Sequence, residues 1–170
     1  MTQDFDYIIV GAGSAGCVLA ARLSQDPNVR VALVEAGGSD DATEICMPVA
    51  FPQLFKTRYD WDFTSEPETG FGDRRVYLPR GKTIGGSSAM NAMIYIRGNA
   101  TDFDGWTDEG ANGWSYKEML RYFIRSECNE RGDPRYHGHS GPLAVQDSRS
   151  MHPLVDQLLE AGTRSGYPFK

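Results

Sequence analysis

The sequence predicts an α/β fold that begins with a βαβ unit, and three observations lead to this prediction. An apolar stretch at residues 5–10 has the pattern of a buried strand and runs directly into the spacing G-x-G-x-x-G at residues 11–16. A helical segment and a second apolar strand at residues 29–35 follow, which completes a unit of about thirty residues. A second loop of small residues comes much later, at residues 85–89. This order is typical of a Rossmann-like sheet.

The composition is that of a globular domain and argues against several classes of protein. The chain has 170 residues, 40% hydrophobic and 24% charged, which is enough to bury one core. A net charge of −6 and a pI near 5.0 argue against a nucleic-acid partner. No apolar run approaches the roughly 18 residues of a membrane span, and the first residues have no signal-peptide pattern. We therefore expect a cytoplasmic protein.

The three cysteines, Cys17, Cys46 and Cys128, are widely spaced and form no C-x-x-C pair. This spacing does not support a metal site, and reduced thiols fit a cytoplasmic protein. Cys17 lies on the predicted first helix, where burial explains a small side chain better than redox chemistry does.

The first half of the chain is predicted to add short, irregular elements to the βαβ unit. Residues 14–24 form its helix, with small residues on one side for close packing. A helical turn is expected at residues 47–55. Residues 61–65 alternate like an edge strand, and residues 75–78 are expected to be its hairpin partner.

The second half contains two predicted helices and a short strand. Residues 98–114, rich in Gly, Asn and Asp, are predicted to form a loop. Ser115 and Glu118 make a capping box, and the apolar face that follows predicts a helix. A strand is expected at residues 141–145, and Pro153 suits the first turn of a last amphipathic helix.

The first glycine loop has the pattern of a dinucleotide site. Gly11 permits a tight turn, Gly13 lets the backbone approach a pyrophosphate, and Gly16 lets helix and strand pack closely. The helix that follows offers free N–H groups and a positive partial charge to phosphates. Glu35 ends the second strand about twenty residues on, where a carboxylate accepts hydrogen bonds from ribose hydroxyls and repels the 2′-phosphate of NADP.

The second loop, residues 85–89, has almost no side-chain bulk and either turns sharply or admits a flat ligand. Ser87 or Ser88 is expected to cap a helix that starts there. Asn91 adds an amide, and Arg80 and Lys82 add positive charge. A glycine turn with a solvated basic flank explains these residues equally well. If both loops close over opposite ends of one long cofactor, the ligand is FAD, and the fold is a Rossmann-like FAD-binding fold.

These residues resemble a known family, the glucose–methanol–choline (GMC) oxidoreductases, in its choline and alcohol dehydrogenase branch. The resemblance covers essentially the whole chain. Its first signature is matched by residues 81–91, followed by Tyr95, Gly98 and Asp104, and further matches are Asp60, Trp61, residues 95–99, residues 102–106, His137, Gly138 and residues 141–143. The resemblance implies that residues 1–170 are the N-terminal part of a GMC FAD-binding domain, with the substrate domain and the C-terminal catalytic part in the remainder of a longer polypeptide.

Residue by residue, the resemblance implies an extended FAD. The pyrophosphate would lie on the first loop, the ribose on Glu35 and the residue after it, and the flavin on the second loop and the segment that follows it. The implied cofactor-binding residues are Gly11, Gly13, Ser14, Ala15, Gly16, Glu35, Ala36, Arg80, Thr83, Gly86, Ser87, Asn91, Ala92, Met93 and Ile94. In some members a histidine just before the asparagine is bonded to the flavin, and this chain has Met90 there, so we expect non-covalent FAD.

The implied reaction is oxidation of a small primary or secondary alcohol by hydride transfer to flavin N5, with O2, a quinone or another carrier as electron acceptor. The family's catalytic histidine lies in the C-terminal part, and none of His137, His139 and His152 matches its motif. We expect structural or exposed roles for the first two and helix capping or exposure for His152. No catalytic residue and no metal ligand is assigned, and the isolated chain is expected to be inactive. Two alternatives are a lyase of cyanohydrins with structural FAD and a non-catalytic fragment.

Overall fold

The computed structural model describes residues 4–168 and divides the chain into two compact units. The first unit ends at Ile94 and the second begins at Tyr95. No helix in the described part of the chain is both long and apolar enough to cross a bilayer.

The first unit begins with the predicted βαβ arrangement. Strand β1, Tyr7–Val10, pairs in parallel with β2, Val31–Val34, and helix α1, Ser14–Leu23, connects them. Both strands are shorter than predicted, although the Asp6 N–H still bonds the Arg30 carbonyl at 2.9 Å beyond the end of the ladder. The predicted fold class is confirmed at its starting unit, because two parallel strands connected by a helix form the predicted βαβ unit.

Two further predictions hold in the first unit. The helical turn is a 3₁₀ helix, Pro48–Leu54, preceded by the short helix α2, Thr43–Cys46. Leu54 is almost fully buried and anchors this turn to the core of the unit. The hairpin consists of β3, Phe63–Thr64, antiparallel to β4, Tyr77–Leu78.

The prediction of a loop at residues 98–114 is wrong in part, because Ala100–Asp108 form helix α3. The Asn99 side chain caps this helix, and the Asp102 Oδ2 accepts the Asn99 N–H at 2.8 Å. The polar residues that suggested a loop therefore act as a reciprocal helix cap. Phe103 is the buried residue of α3, and its ring lies 5.5 Å from that of Phe123, centre to centre.

Apart from one strand, the rest of the second unit follows the sequence pattern. Helix α4, Tyr116–Ser126, has the predicted capping box, and β5, Glu127–Asn129, which was not predicted, leaves it directly. The predicted strand is β6, Leu143–Val145, parallel to β5. Helix α5, Pro153–Arg164, is capped by His152, whose Nδ1 accepts the Leu154 N–H at 3.2 Å.

Candidate cofactor site

The two glycine loops are in direct contact, although they are far apart in sequence. The Gly85 N–H donates to the Ala12 carbonyl at 2.8 Å. A Cβ atom on Gly86 would lie 2.8 Å from the Gly13 Cα, and Gly86 has a φ of +55°, so a side chain is excluded here on both grounds. The glycines of the two loops therefore form one continuous backbone surface, and the expectation that the loops hold opposite ends of one ligand stays a prediction.

The first loop presents unpaired donors at the start of α1. Gly13 is the N-cap and no side chain caps the helix, so the N–H groups of Ser14, Ala15 and Gly16 have no partner within residues 4–168. Gly16 is buried, and a Cβ there would lie 1.9 Å from the Gly11 carbonyl oxygen. These positions match the predicted roles of close packing and exposed backbone donors, and anions bind such helix ends.

Glu35 lies directly after β2 and ties the first loop to the sheet. Its Oε2 accepts the Ala12 N–H at 2.7 Å, and its Oε1 accepts the Gly37 N–H at 2.8 Å. Both bonds lower the pKa of Glu35, and the bond from Gly37 has the larger effect. The carboxyl group is therefore ionised at neutral pH. Each carboxylate oxygen has a further lone pair for a ligand hydroxyl. Ala36 lies between Glu35 and Gly37, at the same turn.

The prediction that Ser87 or Ser88 caps a helix is wrong. Residues Gly86–Ala89 form a single 3₁₀ turn, its cap is Gly85, and no side chain bonds to its N-terminus. The Ser87 Oγ instead accepts the Gly81 N–H at 3.1 Å, and the Ser88 Oγ donates to the Gly85 carbonyl at 2.6 Å. The serines therefore fix the loop internally, and one short turn does not supply the field of a full helix.

Thr83 and Arg80 have different environments. Thr83 is fully buried, and its hydroxyl lies 3.1 Å from the carbonyl oxygens of Gly38 and Ser39. This side chain braces the second loop against the turn after β2. Arg80 is exposed, and its Nη1 donates to the Pro79 carbonyl at 2.7 Å, which leaves other guanidinium donors for a ligand.

The segment after the second loop is an exposed, sharply turned stretch. The Asn91 Oδ1 accepts the Met93 N–H at 2.7 Å, and Met93 has a φ of +57°, which is rare for a side chain of this kind. Ala92 and Ile94 are exposed as well, whereas Met90 is buried.

A cavity of about 210 Å³ lies between this segment and residues for which the sequence predicted no part in binding. On one side are Ser88, Asn91 and Met93, and on the other are Met47 and Phe51. Nothing in the sequence distinguishes these last two residues from ordinary core residues, so their position beside the loop was not predicted.

The second unit contains a buried ionic cluster around Glu127, which is 0% exposed. Its Oε1 lies 2.7 Å from Arg97 Nη2 and 2.9 Å from His137 Nδ1, and accepts the Gly138 N–H at 2.9 Å. Burial raises the pKa of Glu127, but hydrogen bonds from Tyr95, Gly138 and Arg97 outweigh it and lower the pKa to about 2. His137 thus takes part in this cluster, and its expected structural or exposed role stays a prediction.

The three cysteines and His139 are the other side chains with reactive groups that the sequence singled out. The Cys17 thiol is half-buried and donates to the Ala12 carbonyl at 3.2 Å, while Cys46 and Cys128 are exposed. His139 is also exposed. In the part of the chain that is described, no three His, Cys, Asp or Glu side chains are grouped to hold a metal ion.

Comparison with known proteins identifies the family. A family model described as GMC oxidoreductase matches residues 5–170. This chain belongs to the GMC oxidoreductase family. The resemblance found in the sequence is thereby confirmed, and with it the class of the fold.

Relatives within the GMC family include dehydrogenases and oxidases. The oxygen-dependent choline dehydrogenase of Escherichia coli strain K12 is 48% identical over 172 residues, which is 98% of this chain and 31% of that protein. Pyridoxine 4-oxidase from Mesorbium loti superposes with a TM-score of 0.88 at 41% identity, over 97% of this chain and 33% of that one. An FAD-dependent oxidoreductase from Chaetomium thermophilum gives a TM-score of 0.85 at 34% identity, over 97% and 30%. The chain thus spans about a third of the length of these GMC relatives.

Proposed function

We propose that this chain is the FAD-binding start of a GMC oxidoreductase that oxidises a small alcohol to a carbonyl compound. The observation that carries the proposal is the contact of the two glycine loops beside the uncapped start of α1. This surface offers backbone donors without side-chain bulk, which fits a pyrophosphate. The name of the Chaetomium thermophilum neighbour, an FAD-dependent oxidoreductase, supports FAD as the dinucleotide.

The proposed binding residues divide by the part of FAD that they would hold. Gly11 and Gly13 let the ligand approach, and the N–H groups of Ser14, Ala15 and Gly16 would hold the pyrophosphate, as the unpaired donors suggest. Glu35, already ionised and fixed by two backbone bonds, would accept the ribose hydroxyls, with Ala36 beside it.

The flavin end would lie along the second loop and the exposed segment after it. The residues proposed here are Arg80, Gly86, Ser87, Asn91, Ala92, Met93 and Ile94. Thr83 would act indirectly, because its buried hydroxyl is held by backbone carbonyls of the protein. The Asn91 oxygen is engaged by the Met93 N–H, so the amide NH2 of Asn91 is the group left to contact the ring.

Bound FAD would supply the hydride acceptor, while this chain binds and orients it. A proton acceptor for the alcohol is not proposed among the described residues. His137 is bonded to Glu127, and His152 caps α5. We therefore propose that the catalytic base belongs to a further part of the polypeptide and that residues 1–170 alone do not turn over.

The name of the bacterial relative favours choline or a similar small alcohol as substrate, with O2 or a quinone-type carrier as acceptor. The test uses the protein expressed from its complete reading frame. Anaerobic addition of choline or simple alcohols is expected to bleach the yellow oxidised flavin. Flavin that is never bleached, together with cleavage of a cyanohydrin, would favour the lyase alternative, and purified protein without flavin would contradict the proposal altogether.

A second prediction concerns how FAD is held. The position that carries a flavin-bonded histidine in some GMC members is Met90 here, and the thioether of methionine is not expected to form that bond. Precipitation of the holoprotein with acid is expected to release all yellow colour into the supernatant. Colour that stays in the washed protein pellet would show a covalent link and contradict the prediction.

A further inference from the structure

A buried carboxylate lies outside the residues that the proposed function uses. Asp60 is 6% exposed. Its Oδ1 accepts the N–H groups of Arg80 at 3.0 Å and of Asp62 at 3.1 Å. Its Oδ2 accepts the Lys56 N–H at 2.9 Å and the hydroxyl of Tyr77. Since a buried charge is tolerated only when it is well hydrogen-bonded, all these donors hold Asp60 in one place.

Arg80, whose N–H bonds to the Asp60 side chain, also belongs to a short backbone ladder. The Trp61 N–H donates to the Arg80 carbonyl at 2.9 Å, and the Lys82 N–H donates to the Tyr59 carbonyl at 2.7 Å. Asp60 and Gly81 form an antiparallel bridge between these bonds. The Asp60 carboxylate, through its bond to the Arg80 N–H, therefore adds to the backbone bonds that hold residues 80–82.

Residues 80–82 in turn determine where the second glycine loop lies. The Gly81 N–H donates to the Ser87 Oγ at 3.1 Å, and a Cβ on Gly81 would lie 2.2 Å from the Gly86 carbonyl oxygen. Gly86 packs against Gly13 of the first loop, with 2.8 Å between its ideal Cβ position and the Gly13 Cα. A continuous set of contacts thus leads from Asp60 to the contact between the two loops.

We infer that Asp60 is a positioning residue of the cofactor site, which holds residues 80–82 so that the second glycine loop lies against the first before FAD binds. The inference rests on the proposed function, in that the two loops are taken to bind FAD. Asp60 itself does not touch the ligand in this assignment. Its effect passes through the backbone of Arg80 and Gly81.

The test is Asp60→Asn, which keeps the shape of the side chain and replaces one acceptor oxygen by an NH2 group. That group faces N–H or O–H donors on either side, so the set of hydrogen bonds cannot be completed. The FAD dissociation constant of the complete apoprotein, measured by flavin fluorescence at a temperature where both proteins are folded, is expected to rise about 10- to 100-fold. The matched control, Asp62→Asn, changes an exposed carboxylate in the same loop and is expected to leave the constant within about twofold.

The outcomes separate the inference from the proposed function. If the unmodified protein binds no FAD, the proposed function fails. If it binds FAD and Asp60→Asn binds equally well, the inference is overturned while the function stands, even if the variant melts at a lower temperature. Should Asp60→Asn not fold, amide hydrogen exchange of the unmodified apoprotein decides. Protection of residues 80–87 without FAD supports the inference, and fast exchange that slows only when FAD is added overturns it.

Discussion

Replacing Glu127 by Gln is expected to lower the free energy of unfolding by about 3–5 kcal/mol. Glu127 is fully buried, and the same oxygen is contacted by Arg97, His137 and the Gly138 N–H. Gln has the same size but no charge, so the Arg97 guanidinium, whose side chain is only 13% exposed, would remain as an uncompensated charge. Removing one partner of such a pair costs more than the pair contributes, because the remaining charge is still buried.

The same carboxyl predicts an acid dependence of stability. The pKa of Glu127 is lowered from 4.5 to about 2 in the folded protein. A group with a depressed folded pKa adds stability above its unfolded pKa, and that stability is lost as the pH falls through the folded value. The unmodified protein should therefore lose stability between pH 4.5 and about 2. In Glu127→Gln this part of the loss is expected to be absent.

Urea unfolding at several pH values measures both effects. The matched control is Glu130→Gln, because Glu130 follows Glu127 by three residues and its side chain is 39% exposed in its pair with Arg149. We expect a cost below about 1 kcal/mol for that exposed pair. Equal losses of unfolding free energy in Glu127→Gln and Glu130→Gln would contradict the prediction that the buried Glu127 cluster stabilises the protein more than the exposed Glu130 pair.

Gly81→Ala is expected to displace the second glycine loop and weaken FAD binding about 10- to 100-fold, with a loss of about 1–3 kcal/mol in stability. The added Cβ would lie 2.2 Å from the Gly86 carbonyl oxygen and 2.6 Å from the Ser87 nitrogen. Both are backbone atoms, so relief requires a shift of the loop rather than a rotation of a side chain. That shift separates Gly86 from the first loop.

The control for this substitution is Gly162→Ala in helix α5. A Cβ there meets no atom within 4 Å, and glycine in a helix interior is unfavourable, so a gain of about 0.5–1 kcal/mol is expected. Fluorescence titration with FAD and thermal unfolding of both variants compare the effects. Unchanged FAD affinity in Gly81→Ala would show that the contact between the loops does not determine binding.

Local patterns allowed much of the fold to be predicted from the sequence. The capping box of Ser115 and Glu118 and the strand followed by G-x-G-x-x-G involve residues within a few positions of each other, so their outcome depends little on the rest of the chain. The same reasoning failed at residues 98–114, where Asn99 and Asp102 cap α3 although they also suit a loop. It failed again at Ser87, whose hydroxyl bonds to Gly81 rather than to a helix start.

The sequence by itself determined the βαβ unit, the backbone donors at the start of α1 and the membership of the GMC family. Only the tertiary structure decided that the glycine loops touch each other, that Asp60 bonds to Arg80 and that Glu127 meets Arg97 and His137. Each of these contacts joins residues many positions apart. A carboxylate accepts a bond from any donor that the chain path brings near it, and hydrogen-bonding type alone does not specify which donor that is.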